Sequence, residues 1–415
     1  MRKYIVILGV VIYAVAISCS SPATKKVTNK QEKVAQPGTY GYDVAFMKDH
    51  KMDFVELCDE NGKACLMVSP ALQGRVMTSS SNGESGKSFG WINYKHINSG
   101  KVSTQFNPYG GEERFWLGPE GGPYSIYFAE GKEQVFENWK VPSVIDTEPF
   151  EIKSKSREKI EFTKTAYLKN VSGTEFNLLI NRKVSLLNAD TLESLFKFKF
   201  PVNLQIVAYQ SENSITNKSD KPWTKKSGLL SVWMLSMFNP SPSVTVFIPY
   251  KQEGQGKVVS DDYFGKVPAD RLIAENGVVY FKIDGKLRSK IGISPERATE
   301  LCGSYDSDQK VLTLLWCSLP DKVLPYVNSK WGKQEDSYKG DAVNSYNDGP
   351  VADGSIMGPF YEIETSSPAA ALQPGETLTH VQRIVHIQGE QTDLALVIKT
   401  LFNIDLKTIQ DRFQK

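Results

Sequence analysis

After about residue 40, apolar and polar positions alternate with a period of two along most of the chain, the signature of strands with one buried face. Residues 160–168 and 176–187 read as two such strands around the turn Asn170-Val171-Ser172-Gly173-Thr174. Residues 54–57 and 65–68 read as a hairpin centred on Asn61-Gly62, the strongest two-residue hairpin signal. Residues 192–200, 206–209, 278–283, 290–293 and 311–317 predict further strands. The apolar runs 232–238 and 244–248, parted by Asn239-Pro240-Ser241-Pro242, read as central ones. Residues 360–364 predict a short strand with Glu362 and Glu364 on one face and Tyr361 and Ile363 on the other. Pro374-Gly375-Glu376 then turns the chain into a strand that sets His380, Gln382, Ile384 and His386 on one face. The polar run 341–350, ending in Gly349-Pro350, reads as a loop. From residue 392 the period changes: Leu394, Val397, Ile398, Leu401 and Phe402 recur at helical spacing, predicting one or two helices docked on the sheet. Regular strands, turn signals and a helical tail predict an all-β sandwich with no internal repeat.

The first residues break this pattern. Arg2 and Lys3 precede an apolar run from Tyr4 to Ile17, too short for a membrane span of about twenty residues. The run stops at Ser18-Cys19, as in a bacterial lipobox, so residues 1–18 are expected to be a lipoprotein signal peptide and Cys19 the lipidated residue. Residues 19–39 are polar, lack aromatics and read as a flexible tether. Residues 40–415 then form the folded domain. The expectation is an exported lipoprotein held at a membrane through lipid on Cys19, on the periplasmic or cell-surface side.

The composition is that of an ordinary globular protein, and a formal net charge of +2 without a basic stripe gives no reason to expect nucleic acid. Cysteines change the picture in one place. With Asn61-Gly62 as the loop, Cys58 faces Cys65 within disulfide range in a compartment that permits oxidation. Cys302 and Cys317 flank a turn that does not oppose them, so free thiols are expected. No His/Cys cluster has zinc spacing, and Asp341, Asp348 and Asp353 lack calcium-loop spacing, so neither a metal nor a cofactor is expected.

Two stretches carry candidate chemistry. Paired carboxylates at Glu362 and Glu364, beside Asn344, Tyr346 and Asp348, suit a ligand whose hydroxyls both donate and accept. The run Tyr109-Gly110-Gly111-Glu112-Glu113-Arg114-Phe115-Trp116 mixes glycines that permit close backbone approach with aromatics able to stack on a sugar ring. Together with the Ile363-Glu364-Thr365 segment and the Pro374-Gly375-Glu376 turn, these stretches resemble the aldose 1-epimerases (galactose mutarotases), and more closely the bacterial lipoproteins of that superfamily. The resemblance implies a large antiparallel supersandwich of the galactose mutarotase type. It places the family's catalytic glutamate on Glu364 and an arginine near the sugar on Arg75, in Gly74-Arg75-Val76. Where mutarotases carry histidines, this chain has Pro108-Tyr109 and the histidine-free segment 210–217.

Mutarotation needs a base for the anomeric hydroxyl and an acid for the ring oxygen. Glu364 is the expected base, with Glu362, Glu212 or Glu113 as acid or tuning group. Arg75 and Arg114 would orient the sugar or a charged substituent, Tyr109 and Trp116 would stack, and Asn344, Tyr346 and Asp348 would line the rim. Three functions stay open: a mutarotase-like isomerase, a glycan-binding module without turnover, and a glycoside hydrolase or lyase. The last needs carboxylates flanking the bond, whereas two on one strand face lie about 7 Å apart and point the same way.

Overall fold

The computed structural model describes residues 35–351 and 353–413. The expected signal peptide, Cys19 and most of the tether lie outside these residues. Three antiparallel sheets make up the fold. The largest has ten strands, in the order Leu272–Glu275, Val278–Lys282, Val244–Pro249, Leu301–Asp306, Val311–Cys317, Thr377–Gln388, Gln205–Asn217, Glu175–Leu186, Lys159–Lys169 and Glu151–Lys155. A second sheet orders Ser289–Ile293, Val343–Asn347, Tyr361–Ser366, Ser231–Phe238 and Arg114–Gly118. A third holds Val55–Cys58, Cys65–Ser69 and Arg75–Ser80, and bridges to the second at Val76 and Glu113.

The main core lies between the ten- and five-stranded sheets, where alternate residues such as Phe176, Leu178, Ile180 and Val184 meet Phe115, Leu117, Met234 and Ile363. Outside the ten-stranded sheet, helices Ala189–Phe196, Gln391–Phe402 and Leu406–Gln410 set Leu192, Leu394, Val397, Ile398 and Ile409 against Phe247, Leu314, Val385 and Ile387. Strand Thr377–Gln388 is therefore buried on both faces toward its end, which is why its late residues lose the polar alternation. A further helix, Tyr40–Asp49, capped by the Thr39 hydroxyl, packs on the three-stranded sheet through Tyr40, Val44 and Met47.

Three segments depart from the reading of the sequence. Residues 192–200 continue no sheet: Asn188 caps a helix over Ala189–Phe196, and its amphipathic face covers the sheet instead. The polar run 341–350 contains strand Val343–Asn347, because neighbouring strands satisfy its polar side chains. The Ser345 hydroxyl donates to the Glu362 carbonyl, and the Asn344 amide to the Ile291 carbonyl and the Tyr263 hydroxyl. The segment 210–217 belongs to one long strand, Gln205–Asn217.

Cys58 and Cys65 pair across the first hairpin in register and are bonded as a disulfide. The turn is wider than two residues: only Gly62 takes positive φ, and the Asp59 carboxylate accepts from the Lys63 amide. Cys302 and Cys317 are free and buried. Closing so short a loop contributes about 2–3 kcal/mol in the chain-entropy account. A Cys58→Ser/Cys65→Ser variant is expected to lose about that much in urea unfolding; an unchanged midpoint would show the bridge to be dispensable.

Candidate functional site

Alternation divides the five-stranded sheet into an inner face, toward the ten-stranded sheet, and an outer face. Phe115, Ser236, Ile363 and Thr365 belong to the inner face. Arg114, Trp116, Trp233, Glu362, Glu364, Asn344, Tyr346 and Lys290 fall on the outer one. Arg75, on the strand bridged to this sheet, lies beside Arg114 on the same side.

The outer face is a dense polar cluster. Glu364 is buried, and its Oε2 accepts from Lys290 Nζ at 2.7 Å and from the Trp233 indole at 2.8 Å. Among the described residues, no donor reaches its buried Oε1. Two residues earlier, Glu362 Oε1 accepts from Arg114 Nη2 at 2.9 Å. The Arg114 guanidinium sits over the Trp116 ring at 4.5 Å, and Trp116 meets Trp233 edge to face. Tyr346 donates to Asp348 at 3.0 Å and accepts from Arg288 at the rim. Tyr263 and Lys330 close another side: the Tyr263 hydroxyl bonds Asp341, and Lys330 pairs with Asp262 at 2.8 Å.

Electrostatics separates these carboxyls. Burial pushes Glu362 up to about 8; Arg114 opposes the rise and nearby Glu364 adds to it. Burial also raises Glu120 to about 7, with Lys290 opposing and Glu364 assisting. Burial alone would lower Lys290, but its contact with Glu364 leaves it raised. Burial raises Asp341 and Asp348 as well. The face thus sets Glu364, in contact with the Lys290 ammonium, beside Glu362 and Glu120, whose carboxyls burial raises to about 8 and about 7, an arrangement suited to acid–base chemistry.

The structure brings Glu364, Glu362, Arg114, Trp116, Asn344, Tyr346 and Asp348 together, with Arg75 at the edge. Tyr109 stands further out: its ring packs edge to face on His96 at 4.8 Å, near Arg75 and Asp146. Two candidates go elsewhere. Glu212 lies on the solvent side of the ten-stranded sheet, paired with Lys183 at 2.6 Å, because a strand continuing through 210–217 turns even-numbered residues outward. Glu113 precedes Arg114 by one residue, so it points to the inner face. There its Oε1 pairs with Arg182 at 2.6 Å, both side chains fully buried, and its Oε2 accepts from Ser211 and Gln382. This inner network runs on through Asn213 to Arg182, and from Gln382 to Thr365 and His380.

Lys290, Trp233, Glu120 and Tyr263 escaped the sequence reading. Lys290 left a signal, a lone cation alternating with Ile291 and Ile293 in a short strand. Glu120 lies just past the stretch Tyr109–Trp116, among the further glycines Gly118, Gly121 and Gly122. Trp233 had no local mark, since its run is apolar throughout. Among the described residues, no group of three or more His, Cys, Asp or Glu is placed to hold a metal ion.

A family model described as a family of unknown function (DUF6786) matches residues 38–413. No curated protein matches the chain. Among solved structures, the Slr1438 protein from Synechocystis sp. PCC 6803 superposes with a TM-score of 0.50 at 10% identity, over 81% of this chain and 96% of that one. A galactose mutarotase-like protein from Lactobacillus casei ATCC 334 gives 0.45 at 10% identity, over 81% and 100%. A galactose mutarotase related enzyme from Lactobacillus acidophilus gives 0.43 at 11%, over 80% and 97%. At such identities the likeness is one of fold. The fold shared with the Slr1438 protein is, in this chain, a set of three antiparallel sheets with C-terminal helices.

Proposed function

The chain belongs to the DUF6786 family, and from its outer-face cluster we propose that it binds a sugar and interconverts its anomers. One observation carries the reading. Glu364 commits one oxygen to Lys290 and Trp233 and leaves the other buried with no donor among the described residues. Such an orphan acceptor suits a ligand hydroxyl. Glu364 takes the proton of the anomeric hydroxyl as the ring opens. Glu362, protonated near neutrality and on the same strand face, gives a proton to the ring oxygen. The Lys290 ammonium lies 2.7 Å from Glu364 Oε2 and holds that side chain in place, and the Trp116 and Trp233 rings offer an apolar wall to the sugar's face. Export and lipid attachment at Cys19 remain part of this proposal, on the strength of the N-terminal apolar run that ends there.

A second reading, glycan binding without turnover, is favoured by the absence of histidine at Pro108-Tyr109 and in 210–217, where mutarotases carry theirs. Anomer exchange of free aldoses, followed by NMR with and without the protein, separates the two. Acceleration supports the isomerase. Binding without acceleration supports the module, and neither effect with any aldose would sink both.

The raised carboxyls also predict a pH response of stability. In the unfolded chain a glutamate titrates near 4.3. Glu362 and Glu120 hold their protons to about 8 and about 7 in the folded state, so the folded state binds more protons across that window. Their contribution to stability is therefore greatest below about 4.3 and declines as pH climbs through 7 to 8. Asp146, Asp341 and Asp348, raised by burial, share the sign. Glu362→Gln is expected to flatten the fall in melting temperature between pH 5 and pH 8; an identical slope would remove Glu362 from the account.

A further inference from the structure

One end of the outer face holds a buried cation, Arg75, whose side-chain bonds go to neutral oxygens among the described residues. Arg75 is 2% exposed and Arg114 4%, on adjacent strands. Arg114 has one acidic side chain in contact, Glu362, whose raised carboxyl holds its proton near neutrality. Arg75 has none in contact: Nη1 donates to the Gly110 carbonyl at 2.8 Å and Nη2 to the Gln73 amide oxygen at 3.1 Å. Asp146 lies near enough to act on Arg75 through space, but it bonds Asn107. Burial and the neighbouring Arg114 lower Arg75 to about 9, the strain expected of two like charges taken out of water side by side. Removing charges from water without partners is among the costliest arrangements a fold can keep.

The unmet hydrogen bonds point the same way. Among the described residues, no acceptor reaches the buried donors Arg75 Nε, Arg114 Nε and Trp116 Nε1. Trp116 lies under the Arg114 guanidinium, so these donors share one end of the cluster. The orphan acceptor, Glu364 Oε1, belongs to the other end, where Lys290 and Trp233 hold its carboxylate. A neutral sugar hydroxyl both donates and accepts, and it answers either end without preference. A carboxylate only accepts, so it answers the arginine end alone. Arginine in turn is the side chain best shaped for such a group.

Resting on the sugar-site reading above, we infer that the ligand is an acidic sugar of the hexuronate type, its carboxylate seated at Arg75 and Arg114 and its anomeric hydroxyl directed to Glu364. The carboxylate supplies the counter-charge that the protein withholds from Arg75. The two-ended arrangement also fixes the orientation of the ring, because a sugar bound the other way round would set its carboxylate against Glu364.

The test compares ligands on the unaltered protein, so it does not depend on a variant's folding. Affinities for D-galacturonate, D-glucuronate, their methyl esters, D-galactose, D-glucose and inorganic phosphate are measured by calorimetry at pH 7. The acids are expected to bind about ten- to a hundredfold more tightly than esters or neutral sugars, the range that charge-assisted hydrogen bonds supply. Arg75→Gln is expected to bring acids and esters to within a factor of about three of each other. Rescue of the acid preference in Arg75→Lys would fit a charge role over a packing role. Equal affinity for acids, esters and neutral sugars would overturn the inference and leave the sugar-binding proposal standing. Phosphate binding as tightly as the acids would also overturn it, showing a general anion site. Failure of every sugar and acid to bind would overturn the sugar-binding proposal itself, and this inference with it.

Discussion

Arg182→Met is expected to destabilise the fold by about 3–5 kcal/mol, the loss typical when one member of a buried ion pair is removed. The guanidinium is fully enclosed between the sheets. It donates to Glu113, to the Asn213 amide oxygen and to the Gly74 carbonyl. Methionine fills much of its volume but leaves Glu113 as a desolvated carboxylate with only neutral donors, Ser211 and Gln382. The double variant Arg182→Met/Glu113→Gln removes both charges and is expected to recover roughly half of the loss or more, since apolar replacement of a whole buried pair is often neutral. Urea unfolding followed by tryptophan fluorescence measures both. A loss under about 1 kcal/mol for the single variant would mean that Glu113 takes up a proton at little cost and that the pair is not a keystone of the core.

The second large effect concerns chemistry. Glu364→Gln is expected to slow sugar anomer exchange by about two to four orders of magnitude, the usual contribution of a general base. Ligand affinity should change by no more than a factor of about five, because glutamine keeps the side chain's shape and an oxygen for Lys290 and the Trp233 indole. A rate loss accompanied by an equal loss of binding would point to collapse of the Lys290 contact. An unaltered rate would assign the base elsewhere, with Glu120 next in line because burial holds its pKa near neutrality.

Much of the fold was legible because its signals are local. The strands 160–168 and 176–187 appear as Lys159–Lys169 and Glu175–Leu186, and the helical spacing after residue 392 appears as Gln391–Phe402 and Leu406–Gln410. Opposition of Cys58 and Cys65 followed from counting residues about a turn, even though the turn is wider than expected. What local signals could not supply was the partner of a buried polar group. Strand Val343–Asn347 looked like a loop because its amide and hydroxyl side chains are satisfied by Ile291, Glu362 and Tyr263 on other segments. Arg182 stood on an otherwise apolar face with Phe176, Leu178, Ile180 and Val184, a conspicuous exception whose meaning depended on Glu113, 69 residues away in sequence. At the candidate site the carboxylates were legible from strand alternation. Lys290 and Trp233, which bond Glu364, came from separate strands that only the sheet order brings near it. Glu113 and Glu212 illustrate the opposite case: acids of suitable type whose strand parity turns them away.

The pairings that build the outer face also set the order in which the molecule can assemble. Arg114 and Glu362 are 248 residues apart, and Glu113 and Gln382 are 269 apart. Strand Thr377–Gln388, near the end of the chain, is inserted between Val311–Cys317 and Gln205–Asn217 in the middle of the largest sheet. Until that strand is in place the large sheet remains in two pieces and the inner network lacks Gln382 and His380. Folding must close very long loops before its long-range contacts repay them, so it is expected to be slow. A chain cut short before residue 377 would therefore not retain a partial, marginally stable form of the fold. It would expose two unpaired strand edges, and those edges invite association with other chains in place of folding.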